Sequence, residues 1–490
     1  MKEKIFVGCG FIDSQLLWLL PLIYGYSKEK KIKSIIFHKR ISEKVKNNKI
    51  FKKISNHFNV EFLDDHNLLK KYFFIKWLVI ILVFLPKGIV LALKTTKIKL
   101  LDKNLSWKDS QVYHSIWDTA IKDSEDGVIK PKFINLLIAS ILVEYNKFEA
   151  NLALKRNAKH FFIAHSVYGY RAFLSEIRKR EINIFCHSGF TIYKQYTNRD
   201  NSWCFIDKKL FNKLVKNKST EVDKYWNKRQ KGKGNYEDSR IAANIKNKTK
   251  SKYKNIIFLH IFRDSPFADI DRERLFEDYI SWIDKTLEIL KYSNEDWLLR
   301  LHPSYKRWGE NQNITLNKII YRKFNGVLPK NIKIEDNVNS NYEILKNANR
   351  IVTFNGTSHL EAACFGIKPI VISNTMLNIL KKDFVIKPKT FSQYKKILLR
   401  NSESNYFKLK NSDTLLAKKI MYVREKALKF ETEVGGFHVF KGDPKFKFLE
   451  DYKQTERKLN KNLNFLFKNG QNLSKKINFT LSQSFLNENY

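Results

Sequence analysis

The apolar residues of this chain fall into short unbroken runs, separated by longer stretches in which they recur every three or four positions. Lys4 to Val7 is the first run, closed by Gly8-Cys9-Gly10. A helical pattern through Gln15, Leu16, Leu19 and Leu20 follows, and Ile32 to Phe37 is the second run. A strand buried on both faces reads as a continuous apolar run, and an amphipathic helix returns the chain to lay the next strand beside it. Strand-like runs come back at Gln111 to Ile116, Phe161 to Ala164 and Asn183 to Phe185. Helical periodicity fills Pro131 to Leu154 and Tyr170 to Lys179.

The pattern breaks between about Lys216 and Lys252, where a charged, glycine-punctuated stretch (KGKGNYEDSRIAANIKNKTKSK) reads as a linker. A second alternating block then begins. Its strands are expected at Asn255 to His260, Trp297 to Leu301, Ile332 to Ile334, Arg350 to Phe354 and Pro369 to Ile372. Its helices are expected at Leu275 to Leu290, Asn341 to Ala348 and Ser358 to Phe365. The fold class this predicts is α/β, with two Rossmann-like domains facing a cleft and a helical C-terminal extension. The expected boundaries are 1–215 for the first domain, 216–253 for the linker, 254–390 for the second domain and 391–490 for the extension and its polar tail. No internal repeat is visible.

Composition narrows the partners. At 490 residues, 43% hydrophobic and 14% aromatic, the chain has material for more than one core. Lys and Arg total 91 against 49 Asp and Glu, a net charge of +42 that draws polyanions: nucleic acid, anionic lipid headgroups, nucleotide sugars or acidic glycans. The excess is Lys scattered among Asn and Ile, with no zinc-finger spacing and no RNA-recognition signature, so nucleic acid rests on charge alone. Cys9, Cys186, Cys204 and Cys364 lie far apart with no C-x-x-C, which fits a reducing compartment better than a disulfide framework. The first ten residues read as a strand and a glycine turn, without the apolar region of a signal peptide, so a cytoplasmic location is expected.

Phe73 to Leu93 (FFIKWLVIILVFLPKGIVLAL) is close to the length that crosses a bilayer, but Lys76, Pro86 and Lys87 interrupt it. A helix lying in the surface of an anionic membrane, a buried helix and a span are the alternatives. The first would place the chain peripherally on the inner face of the cytoplasmic membrane.

Two stretches carry candidate chemistry. In Arg350 to Ser373 (RIVTFNGTSHLEAACFGIKPIVIS), a buried strand ends at Asn355-Gly356 and a helix begins at Thr357 and Ser358. Backbone N–H groups and two hydroxyls at a helix start suit an anion, although Ser358-x-x-Glu361 also spells a capping box. In Trp297 to Pro303 (WLLRLHP), Arg300 and His302 share one face of a strand that Pro303 terminates. Both stretches end strands at the edge where open α/β sheets bind ligands, and together they favour a nucleotide site.

Here the residues resemble a known family. Arg300-x-His302-Pro303-Ser304, with Asn355-Gly356-Thr357-Ser358-x-x-Glu361-Ala362 and Gly366-x-x-Pro369 further on, is similar to the nucleotide-sugar domain of bacterial GT-B glycosyltransferases of capsule and surface polysaccharide synthesis. The stretch IIFLHIFRDSPF, with His260, Asp264 and Pro266, resembles the opening of that domain, and Asp278, Tyr279 and Trp282 follow it. The likeness runs from about Lys254 to Ser373 and is looser in the first half. It implies transfer of a sugar from a nucleotide donor to a glycan or lipid-linked acceptor. The His-Pro and Ser/Thr elements recur in sialyltransferase and Kdo-transferase branches, where His302 would meet the donor phosphate and Thr357 and Ser358 would complete the cradle. Glu125-Asp126-Gly127 would match an acidic-acidic-glycine motif of those branches. Glu361 departs toward branches in which a Glu binds ribose, so a CMP-, UDP- or GDP-linked donor stays open.

An inverting transfer needs a base in the first domain to take the acceptor's proton. Asp118, expected after the Gln111 to Ile116 strand, and His165, after Phe161 to Ala164, are the candidates. The donor-binding set is Arg300, His302, His260, Gly356, Thr357, Ser358 and Glu361. The sequence holds no Asp-x-Asp pair where a sugar-nucleotide metal would sit, so the expected reaction uses neither metal nor cofactor beyond its substrate. A sugar-nucleotide epimerase and a non-catalytic membrane-associated assembly protein are the competing readings.

Overall fold

The computed structural model describes residues 2–8, 13–38, 46–47, 49–63, 73–163, 167–177, 182–188, 191–195, 208–233, 253–267, 274–336, 340–373 and 384–427. In the first half, the strands are β1 (Lys4–Gly8), β2 (Ser34–Phe37), β3 (Asn59–Phe62), β4 (Ala158–Ile163), β5 (Asn183–Ser188) and β6 (Thr191–Gln195). Their order across the sheet is β3-β2-β1-β4-β5-β6, parallel except for the β5–β6 hairpin. The helices of this half are α1 (Asp13–Lys30), α2 (Lys49–Ser55), α3 (Phe73–Lys97), α4 (Trp107–Lys122), α5 (Phe133–Lys155) and α6 (Gly169–Ile177). β1 is central and nearly all buried, as its unbroken apolar run requires.

The second half repeats the design. After α7 (Lys208–Val215) and α8 (Ser219–Lys228) come β7 (Asn255–Phe258), α9 (Tyr279–Leu290), β8 (Trp297–Arg300), α10 (Gln312–Phe324), β9 (Ile332–Glu335), α11 (Asn341–Asn347), β10 (Arg350–Thr353), α12 (Ser358–Cys364) and β11 (Ile370–Val371). The sheet is wholly parallel, in the order β11-β10-β7-β8-β9. In both sheets the first strand sits in the middle with its next two strands on one side and later strands on the other. This is the doubly wound arrangement, and the order reverses between β1 and β4 in one sheet and between β7 and β10 in the other. The core of the second half gathers Trp282, Trp297, Leu299 and Val352 under the sheet.

Two expectations are corrected. Gln111 to Ile116 is not a strand but the middle of α4. Val112, Tyr113, Ile116, Trp117, Ala120 and Ile121 are buried at helical spacing, and the Ser106 hydroxyl caps the helix by accepting the Asp109 N–H at 3.0 Å. The presumed linker also contains ordered structure: α8 buries Val222, Tyr225 and Trp226, and its aromatics share a core with helix α14 (Asn411–Tyr422). The preceding helix α13 (Phe391–Leu398) is tied to the sheet by Arg350, whose Nη1 donates to the carbonyls of Ile397 and Leu398 at 3.1 and 2.9 Å. The tail from 428 lies outside the described residues.

Candidate functional site

Parallel pairing puts the C-terminal ends of β7, β8 and β10 on one edge of the second sheet. His260 lies two residues past β7, His302 two residues past β8, and Asn355-Gly356-Thr357-Ser358 directly beyond β10. The His260 and His302 rings are 5.9 Å apart. His260 stacks on Tyr279 at 4.2 Å and 9°, and Tyr279 meets Phe354 edge-on at 4.7 Å. An unbroken line of rings thus runs from His302 to the residue preceding Asn355. It crosses the β7/β10 reversal point, where doubly wound sheets leave a crevice.

The positions of the two histidines are set from below. Gln312, fully buried at the start of α10, accepts the His302 N–H at 2.8 Å through its amide oxygen and donates to the His260 carbonyl at 2.6 Å through its nitrogen. Glu310 accepts the N–H groups of Phe262 and Arg263 at 3.0 and 2.9 Å and so fixes the loop after β7. Burial pushes its carboxyl up to about 7. The Ser304 N–H donates to His302 Nδ1 at 3.2 Å, which places the proton of the neutral ring on Nε2, a donor suited to an anionic oxygen.

The turn after β10 is tight. A Cβ on Gly356 would come within 3.2 Å of Thr353 Oγ1. Burial holds the His359 imidazole down at about 4, so it is neutral, and its Nδ1–H donates back to the Gly356 carbonyl at 2.6 Å. Thr357 is the N-cap of α12 without a side-chain capping bond, and the box expected between Ser358 and Glu361 does not form.

Two expected ligand residues are committed elsewhere. Arg300 is fully buried and pairs with Glu335 on β9 at 2.9 Å. Its alternation along the strand is legible in the sequence, but Glu335, opposite it in the β8–β9 register, is not. Glu361, read as a ribose ligand, is buried against Arg229 at 2.7 Å, and Arg229 also holds Glu425 at 3.0 Å. The Tyr225 hydroxyl completes this network by donating to Glu425 at 2.7 Å.

The first half meets this edge through its own loops. Tyr168, just before α6, donates its hydroxyl to Asp264 at 2.7 Å, and Asp264 lies 4.0 Å from His260 Nδ1. Asp118 is on α4, fully buried, where it accepts the Ser265 hydroxyl and the Phe267 N–H (3.3 Å), with Arg171 at 3.9 Å. Burial raises its carboxyl to about 7. It is a fully buried joint between the halves, on a helix, where a base at a strand end facing the cleft was expected. His165, the other base candidate, lies outside the described residues.

Glu125 is exposed and faces Lys132, whereas the Gly127 N–H donates to Thr315 on α10 at 2.9 Å. Nearby, Asp126 joins Tyr305, Lys306, Asn311 and Asp336 around a groove of about 460 Å³ at the rim between the halves. This groove does not include the histidine pair. Among the described residues no cluster of three His, Cys, Asp or Glu side chains could hold a metal.

The roles of Gln312, of Glu310 and of Asp264 as the partner of Tyr168 leave no signal in the sequence, because a lone polar residue at a helix start or in a loop has no periodic signature. No family model matches the chain, and no curated protein matches it. Among solved structures it is similar to a UDP-GlcNAc 2-epimerase of Methanocaldococcus jannaschii in complex with UDP-GlcNAc and UDP (14% identity, 86% of this chain and 99% of that one, TM-score 0.29). It is also similar to Anabaena Alr3699/HepE in complex with UDP-glucose (10%, 87% and 95%, TM-score 0.28) and to the glycosyltransferase VinC in complex with dTDP (10%, 93% and 99%, TM-score 0.23). The strand order itself defines the fold.

Proposed function

We propose that the chain is a nucleotide-sugar-dependent glycosyltransferase that builds a surface polysaccharide, with the donor bound along the C-terminal edge of β7, β8 and β10. The observation that supports this is the convergence of His260, His302 and the Gly356–Ser358 turn around the strand-order reversal of the second sheet. In this reading the Nε2–H of His302 donates to a phosphate oxygen of the donor, and the hydroxyls of Thr357 and Ser358 serve the same group. As the glycosidic bond to the phosphate breaks, negative charge grows on that oxygen, and donors already aimed at it stabilise the transition state more than the ground state. The acceptor's oxygen attacks the anomeric carbon, and its proton passes to a base of the first half, for which His165 is proposed.

Nucleotide binding to the full-length chain is the decisive test. A ligand at one hundred times its Kd stabilises the folded state by about 2.7 kcal/mol, so one of UDP, GDP, TDP or CMP is expected to raise the melting temperature. If none does, the reading fails. The sugar form of the nucleotide that binds is then incubated with and without glycan acceptor. Transfer only with acceptor supports the proposal, and conversion of the sugar without acceptor identifies an epimerase instead. Activity is expected to persist in excess EDTA, because imidazoles and hydroxyls meet the leaving charge. Loss restored by Mg²⁺ or Mn²⁺ would refute that part.

A further inference from the structure

We infer that α3 and α5 together form a docking face for an anionic lipid bilayer, with α3 lying in the plane of the membrane surface. α3 spans 25 residues, about 37 Å at 1.5 Å per residue. Among its described side chains only a narrow stripe, Ile80, Gly88, Ala92 and Thr95, is buried. Along that stripe the two helices approach closely: a Cβ on Gly88 would come 2.7 Å from Ile141 of α5. The opposite side of the helix turns large apolar groups outward. Leu82 and Val83 are each 61% exposed, and Leu78, Val79, Ile89, Val90 and Leu93 are exposed beside them.

The face continues across the seam onto α5. Phe148 is 52% exposed and touches Phe84 with ring centres 6.0 Å apart. By helical register Ile134, Ile138, Ile141 and Phe148 lie on one stripe of α5, and of these Ile134 and Ile138 are also exposed. An exposed apolar surface of this extent marks an interaction site.

Charge identifies the occupant. Phe73 to Leu101 contains no Asp or Glu but holds Lys76, Lys87, Lys94, Lys97 and Lys99. Lys87 and Lys94, seven residues apart, are exposed on the flank of the apolar face, and Lys97 and Lys99 are exposed at its end. An apolar face edged by lysines matches a layer of acyl chains beneath anionic headgroups. A second protein copy would bring the same lysines against each other.

The packing sets the orientation. α5 also packs on α6 and β4, and it carries the buried carboxylates Glu144 and Glu149, the latter paired with His38 at 2.8 Å. A spanning α3 would draw these groups and the exposed Lys87 into hydrocarbon, where ionised side chains are costly. Lying flat, α3 buries only its outer face and leaves the lysines at headgroup level.

The test is flotation of the full-length chain with extruded vesicles of phosphatidylcholine alone or with 30% phosphatidylglycerol. At least tenfold more protein is expected to float with the anionic vesicles. The L82D/V90D double variant should lose that binding at least tenfold, and K94E/K97E, which leaves the apolar face intact, should lose it comparably. Circular dichroism matching the parent chain shows that each variant is folded. Wild-type protein remaining in the bottom fractions with both vesicles, or L82D/V90D floating like wild type, would overturn the proposal. So would a vesicle-free dimer, dissociated by L82D/V90D, in a chain that does not float. Retention in membranes of expressing cells after carbonate extraction at pH 11 would overturn the in-plane geometry in favour of a span.

Discussion

Tyr168 and Asp264, 96 residues apart and on opposite halves of the molecule, share a hydrogen bond of 2.7 Å in which the phenol donates to the carboxylate. Asp264 is in turn 4.0 Å from the imidazole of His260, so the loop entering α6 and the loop leaving β7 are coupled at the proposed donor site. Burial and the neighbouring Asp264 raise the Tyr168 phenol well above its ordinary range, so it stays a donor at any working pH. Tyr168→Phe removes one bond to a charged group, worth roughly 1.5–3 kcal/mol. Because Asp264 is partly exposed, the lower end is expected. Urea denaturation of Y168F, D264A and the double variant should give a coupling energy near that value. Additive effects would show that the two residues act independently.

The role given to His302 depends on a donor at Nε2. His302→Ala should weaken nucleotide binding about tenfold or more, equivalent to at least roughly 1.4 kcal/mol. His302→Gln, which keeps an amide N–H, should recover part of it. Calorimetric titration of the nucleotide that stabilises the chain measures both. Equal loss in the two variants would assign His302 to packing. Gln312→Ala should also weaken binding without touching the ligand, because both histidine-bearing segments lose their anchor.

The alternation of apolar runs and helical stretches was enough to read four strands of the first sheet and all five of the second, since those runs are short, mostly apolar and bounded by turns, whereas β3, which is only partly buried, and β6 carry no such run. The Gln111 to Ile116 segment misled because Val, Tyr and Ile favour strands locally, while the helical spacing continuing to Ile121 became decisive only with partners in place. The histidines of the proposed site were legible because each follows a strand end. Arg300 and Glu361 were misassigned for a shared reason: spacing reports which residues face one way, but not whether a buried opposite charge waits there. Glu335 and Arg229, 35 and 132 residues away, supply those charges. Likewise, the seam between α3 and α5 has no one-dimensional signature.

Glu361 offers a direct check on that correction. Arg229 is fully buried between Glu361 and Glu425, and removing it takes the shared cation from two buried carboxylates. Arg229→Met is expected to cost about 3–5 kcal/mol, the range for breaking a buried pair on one side. Chemical denaturation measures it. Glu361→Gln should lower stability as well but leave nucleotide affinity within twofold of wild type. A selective loss of nucleotide binding in a variant of normal stability would restore Glu361 as a ligand residue.

Asp118 makes the joint between the halves sensitive to pH, and the sign follows from its environment. Burial raises its carboxyl from 3.8 to about 7, outweighing the favourable Arg171 and the bonds from Ser265 and Phe267. Between about pH 4 and pH 7 the folded chain therefore holds a proton that the unfolded chain has released. Stability falls as pH rises through that window and is level above it. Glu310, also pushed up to about 7, contributes with the same sign, so the comparison must be made between variants. Asp118→Asn cannot titrate but can still accept from the Ser265 hydroxyl. Its melting temperature, taken relative to wild type, is expected to rise steadily from pH 5 to pH 7.5 and then to plateau, while Glu310 contributes equally to both proteins. A difference that is flat across this range would mean that Asp118 is ionised throughout and that the charge of Arg171, not burial, governs the joint.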